Sequence, residues 1–277
     1  MGVSLGDLVV ICHLGKTGVL KKGAAIMDIG AQQLSDSALV GGEKIVAALQ
    51  RAFGIAGPPA YAMAPPASEA NRGGRVTPMS QSAPMAEPLW TALGFTYAAI
   101  DIDGSPRSIP LDLNFDGAPA EHVGRYNLVT NFGTTEHLIN QFNAFKVMHD
   151  LTAPGGVMLH NLPGHGYVDH GLFNYNPKLF LYLARSNSYE VLHLDYRVHA
   201  TGYDFPDHLT QQIGRLTPDF AKRAATYKVN DGGVQAALRK TVDAAFVPPL
   251  DVPHPETLAN EPWMARYAAP PKPARKR

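Results

Sequence analysis

The sequence predicts an α/β protein with an open, mostly parallel sheet and helices on both faces, on three observations. The first is the stretch from Arg125 to Pro163, which reads as strand, polar loop, amphipathic helix, tight turn and strand. Such a unit crosses over right-handed and lies in a parallel sheet. The second is that strand-like and helix-like segments keep alternating from Gly23 to Tyr196, the pattern of layered α/β architecture. The third is that Asp28, Asp101 and Asp112 each fall at or near the carboxyl end of one of the first three strands. Open parallel sheets bind their ligands beyond those ends.

The elements follow in order. Residues 1–22 form a helical lead-in with Leu5, Leu8, Val9 and Cys12 on one face. The apolar run Ala24 to Met27 leads into Asp28-Ile29-Gly30 and reads as a buried first strand. Leu39, Ile45, Val46, Leu49 and Phe53 recur at helical spacing and predict a helix from about Ser37 to Phe53. Gly54 to Pro88 is crowded with Pro, Ala, Gly, Ser and Met and has no sustained period, so 54–88 reads as an insertion. Loops of that length are functional lids or floppy inserts, and the composition fits both.

A brief helix near Glu87 to Leu93 and a strand at Tyr97 to Ile100 restore the pattern, and Ser108 to Leu113 is expected as a third strand before the turn Asn114 to Gly117. In the helix of the central unit, Leu138, Phe142 and Phe145 form an apolar stripe widened by Ile139 and Met148. Pro154-Gly155-Gly156 reads as a turn whose glycines permit positive φ before a fifth strand, Val157 to Leu162. A loop rich in His, Gly and aromatic residues follows, then a helix from Pro177 to Ala184 and a strand from Tyr189 to Tyr196. Residues 201–277 are expected to be a C-terminal extension with one helix, Val234 to Phe246, and a disordered tail. The main domain is thus 23–200.

Composition narrows the function. Twenty-four basic and 24 acidic residues give zero formal net charge in 277 residues, which leaves no electrostatic footprint for nucleic acid. The basic run Lys272 to Arg277 at the extreme end reads as a solvated tail. One cysteine, Cys12, excludes an internal disulfide and a Cys-rich zinc site. The apolar stretch around it is too short to span a bilayer and lacks the signs of a signal peptide. Position 6 is Gly6, so the N-terminal myristoylation pattern fails. The expectation is a cytoplasmic protein with no membrane or nucleic-acid partner, a small-molecule substrate, and homodimer formation left open.

Carboxylates at the carboxyl ends of strands can accept hydrogen bonds from ribose hydroxyls or an adenine amino group. Each aspartate alone is more often a cap or turn residue, but three along one sheet edge point to a nucleoside-type site. At this point the chain resembles the class I S-adenosylmethionine-dependent methyltransferases. Asp28-Ile29-Gly30 looks like the first motif of that family, Asp101 falls where it places a ribose-binding acid, and Asp112-Leu113 where adenine is held. Asn131 to Thr135 match the loop bordering the sulfonium and the acceptor, and Leu151 to Leu159 is close to the L-x-P-G-G signature before strand five. The resemblance implies S-adenosylmethionine as cofactor, with Asp28, Gly30, Gln32, Asp101, Ile102, Asp112, Leu113, Asn131, Phe132 and Gly133 around it. The chain departs from the family at Gly30-Ala31-Gln32-Gln33, where further glycines are usual. The same departure argues against a dinucleotide fingerprint, which needs three glycines.

Transfer of a methyl group to oxygen or nitrogen, rather than carbon, is expected, and a general base with pKa near the working pH assists it. His137, Glu136, His160 and His165 are the candidates, each with a plain alternative. His160 alternates with Met158 and Leu162 as a core histidine would, Glu136 can open a helix, and His165 can sit in a turn. His137 ranks first. His170, Phe173 and Tyr175 are expected around the acceptor, in a segment resembling one in sugar-pathway methyltransferases, with loop packing as the plain alternative. The spacing of His160, His165 and His170 fits no zinc pattern, so no metal is expected. Two rival readings are a non-catalytic protein that keeps the cofactor fold for binding or assembly, and a dehydrogenase with a degenerate glycine loop.

Overall fold

The computed structural model describes residues 2–63, 83–105, 107–165, 167, 170–199, 231–252 and 258–271. Residues 64–82 of the insertion, the tail from Lys272 and the stretch 201–230 lie outside the described residues. The strands are β1 (Ala25–Ile29), β2 (Thr96–Ile100), β3 (Ser108–Ile109), β4 (Tyr126–Asn131), β5 (Thr152–His165), β6 (Glu190–His199) and β7 (Asp231–Arg239). They form one seven-stranded sheet in the order β3-β2-β1-β4-β5-β7-β6. β7 runs antiparallel to both its neighbours, and every other pairing is parallel. The helices are α1 (Leu5–Lys16), α2 (Asp36–Ala52), α3 (Glu87–Ala92), α4 (Gln141–Leu151) and α5 (Pro177–Ser186).

Because β1 and β4 are buried on both faces, their apolar residues divide between two cores. Ile26 and Leu128 face the core of α1, α2 and α3 with Leu8, Leu49 and Trp90. Met27 and Val129 face that of α4 and α5 with Phe145 and Phe180. α1 belongs to this fold rather than leading into it. Ser4 and Asp7 close a capping box at its start, and the fully buried Asp7 also accepts from Asn161 Nδ2 of β5 at 3.0 Å and from Gln235 Nε2 of β7.

Four expectations need correction. In place of the helix expected over Val234 to Phe246, the strand β7 runs to Arg239 inside the sheet and 240–246 forms no helix, so residues beyond 200 contribute to the same sheet. Val234-Gln235-Ala236-Ala237-Leu238 lies between two strands and is buried on both faces, which removes the alternation that betrays a strand. β3 stops at Ile109 because Pro110 has no N–H for a ladder. The Leu138-to-Met148 stripe is shorter than expected: α4 begins at Gln141, and Ile139 and Phe142 are exposed. Pro154-Gly155-Gly156 is absorbed into the start of β5 as an irregularity, with Gly155 at φ 83° donating to Lys240 O at 2.7 Å.

Candidate active site

The carboxyl ends of β1, β2 and β4 meet around a cavity of about 440 Å³, within the range of small-molecule sites. The loop after β1 supplies Gly30, Ala31, Gln32 and Gln33; the loop after β2 supplies Asp101 and Ile102; and the loop after β4 supplies Gly133, Thr134, His137 and Leu138.

These loops are tied to one another. Gly30 N donates to Ile100 O at 2.7 Å, and Ala31 N donates to Asp101 Oδ2 at 2.8 Å, so the first loop is hung on the end of β2. Thr134 Oγ1 donates to Ile29 O at 2.6 Å. Gln32 Nε2 donates to Ile29 O and Gly30 O, both at 3.0 Å, and reaches Thr134 Oγ1 at 3.3 Å. Gly30 sits at φ +81°, and a side-chain carbon there would lie 2.4 Å from Thr134 Oγ1. Only glycine lets the two loops close that far.

Deeper in the sheet lies Asp28, fully buried and not on the cavity wall. It accepts a hydrogen bond from Thr130 Oγ1, while Trp90 Nε1 and Tyr97 Oη stand near without completing one. Burial pushes its carboxyl up to about 7 despite the Thr130 bond. Asn131 is likewise internal, bonding Thr135 Oγ1 with its Nδ2 at 2.9 Å, and Phe132 and Leu113 are core residues. Asp112 accepts from Asn114 N at 2.9 Å and shapes its own turn. Of the ten positions expected around a cofactor, the structure gathers Gly30, Gln32, Asp101, Ile102 and Gly133 on the wall. Ala31, Gln33, Thr134 and Leu138 join them; backbone and small side chains there carry no sequence signature of their own.

The candidate bases separate sharply. His137 lines the cavity with its side chain about half exposed (47%). Glu136, its neighbour, is fully buried, and among the described residues neither carboxylate oxygen completes a hydrogen bond with a side chain; desolvation pushes it up to about 7 despite its own backbone N–H. His160 is a core histidine, 1% exposed, among Phe145 and Phe180 and pushed down to about 3 by burial. His165 is exposed at the end of β5. Tyr175 is buried, its Oη bonded to Thr135 Oγ1 at 2.9 Å and Gln141 Oε1 at 2.7 Å, and Phe173 packs on the α4–α5 core. These two pin the loop after β5, as the plain alternative had it, while His170 lies 3.5 Å from Glu136.

Residues 80–208 match a family model described as a methyltransferase domain. That match identifies a methyltransferase domain within the chain. No curated protein matches it significantly. Its fold is similar to that of the Burkholderia thailandensis 1,6-didemethyltoxoflavin N1-methyltransferase, at 12% identity and a TM-score of 0.43 over 85% of this chain and 78% of that one. It is also similar to a Geobacter sulfurreducens S-adenosylmethionine-dependent methyltransferase, at 15% identity and a TM-score of 0.38 over 82% and 89% of the two chains. A Haemonchus contortus phosphoethanolamine N-methyltransferase is similar over 86% of this chain and 53% of its own, at 11% identity and a TM-score of 0.42.

In the first loop, Gln32 turns its amide back onto the carbonyls of Ile29 and Gly30, so a side chain fixes the loop at the position where further glycines had been expected. Among the described residues no helix is long and apolar enough to cross a membrane.

Proposed function

We propose that this methyltransferase methylates oxygen or nitrogen of a small polar acceptor at the cavity where the β1, β2 and β4 loops meet. The observation that carries the reading is the cavity framed by Gly30 and Asp101. The left-handed backbone at Gly30 lets the loops after β1 and β4 close on each other at Thr134, and the cavity of about 440 Å³ opens beside that junction with Asp101 on the same wall. Held there by the Gly30 loop and Asp101, S-adenosylmethionine would supply an electrophilic methyl group for a lone pair of the acceptor, whose proton would pass to a base.

The chain's own residues hold and align. Asp101 presents a carboxylate for ribose hydroxyls while keeping Ala31 N in place. Alignment supplies much of the rate, because in-line displacement needs little covalent help. His137 is the one candidate base on the cavity wall, with its pKa lowered by partial burial, so it is neutral and able to accept a proton at physiological pH. A cytoplasmic setting belongs to the same reading, in keeping with the free, buried thiol of Cys12.

The test is incubation with S-adenosylmethionine and a library of small hydroxyl and amine acceptors, read by mass spectrometry for addition of one methyl group. His137→Ala should lower turnover at least tenfold while leaving S-adenosylhomocysteine affinity within twofold. Cofactor binding with no methylated product across the library would favour the binding-protein reading. Binding of NAD in place of S-adenosylhomocysteine would favour the dehydrogenase.

A further inference from the structure

We propose that Glu136, His137 and His170 form a site for one divalent transition-metal ion at the rim of the cavity. Among the described residues these three offer ligand atoms that all lie within 4.8 Å of one another. Glu136 Oε1 is 3.5 Å from His170 Nε2 and 3.9 Å from His137 Nε2, and the two imidazole rings stand 5.2 Å apart. Ligands on a tetrahedral zinc at ~2.1 Å are separated by roughly 3.4 Å, so rotation of the half-exposed His137 ring closes most of the difference. Two imidazoles and a carboxylate suit zinc, iron, cobalt or manganese and leave further positions open.

The main chain holds the site together independently of any ion. Glu136 O accepts from Leu172 N at 2.8 Å and Phe173 N at 3.2 Å, which fastens the loop after β5 to the loop after β4. A side chain at Gly171 would meet Glu136 Cγ at 2.8 Å, so the backbone beside His170 rests directly on the glutamate. The carboxylate itself is fully buried, and among the described residues no side-chain donor completes a hydrogen bond to either oxygen. An enclosed carboxylate in that state is costly, and a cation between it and the imidazoles removes the cost. Because His137 also lines the cavity, an ion held there would border it, where it would orient an acceptor hydroxyl and lower its pKa, replacing proton acceptance by His137, whose ring nitrogen it occupies. The ion's role rests on the methyl-transfer reading, whereas its binding stands apart from it.

The test uses the full chain, stripped with chelator and desalted, titrated with CoCl2 by visible absorption and then with ZnCl2 in competition. We expect one ion per chain, with affinity at least tenfold weaker in Glu136→Gln and in His170→Ala. His13→Ala, which removes an exposed histidine of α1, should match the parent protein. S-Adenosylhomocysteine titration of each variant reports that the fold is intact and separates the two readings. Loss of metal with cofactor binding retained supports the site, and metal binding with no cofactor binding leaves the site standing and removes the ion's catalytic role. Absence of a stoichiometric ion, or an affinity that survives both substitutions in folded protein, overturns the proposal.

Discussion

Asp28→Asn should make the protein more stable than its parent above neutral pH, by a margin that grows with pH. Asp28 is fully buried with its carboxyl raised to about 7 from 3.8. Between those values the unfolded chain gives up the proton and the folded one keeps it, so stability is full below 3.8 and is lost as pH rises through 7. A rise of about three pH units at ~1.4 kcal/mol each makes the total loss roughly 4 kcal/mol. Between pH 5 and pH 8 the share is roughly 2–3 kcal/mol. Buried histidines oppose the trend in the parent, two of them most strongly. His149, enclosed with Tyr189 and the carbonyl of Ala244, is lowered to about 4, and His160 to about 3. Each resists protonation when folded, so each loses stability as pH falls below 6.5. Their windows overlap that of Asp28, and the parent alone will not display it. The difference between variant and parent removes both histidines from the comparison. Urea unfolding at half-unit steps from pH 5 to pH 8 reads that difference. A gap that stays constant within about 0.5 kcal/mol would refute the reasoning, since surface substitutions alone move stability by that much.

Gly30→Ala forces φ +81° on a residue with a side chain, costing about 1–2 kcal/mol of stability. It should weaken S-adenosylhomocysteine at least tenfold in a calorimetric titration. Phe180→Ala empties the contact among Phe145, His160 and Tyr175 and should lower unfolding free energy by about 3–5 kcal/mol, visible in the urea midpoint. Gln32→Ala cuts the side-chain tie to Ile29, Gly30 and Thr134. It should weaken the same ligand several-fold and lower stability by about 1 kcal/mol.

Much of the sheet was legible because β1, β2 and β4 to β6 carry apolar runs bounded by Gly, Pro or polar residues. β7 was not, since a strand buried on both faces between partners from distant sequence has no period of its own. In the site, Asp101 and Gly30 were expected from their place after strands and line the cavity. Asp28, Asn131 and Tyr175 are buried off its wall, because residue type does not say which way a side chain turns. Glu136, His137 and His170 illustrate the limit best. The first two adjoin in sequence, while the third arrives from the loop after β5 through bonds to the Glu136 carbonyl that no spacing rule contains.

The most direct test of the cofactor site is calorimetric titration of the full chain and of Asp101→Ala with S-adenosylhomocysteine. One ligand should bind per parent chain. Removal of the carboxylate that faces the cavity and holds Ala31 N should weaken it at least tenfold without unfolding the protein. No binding to the parent chain, or equal affinity in the two proteins, would contradict the account.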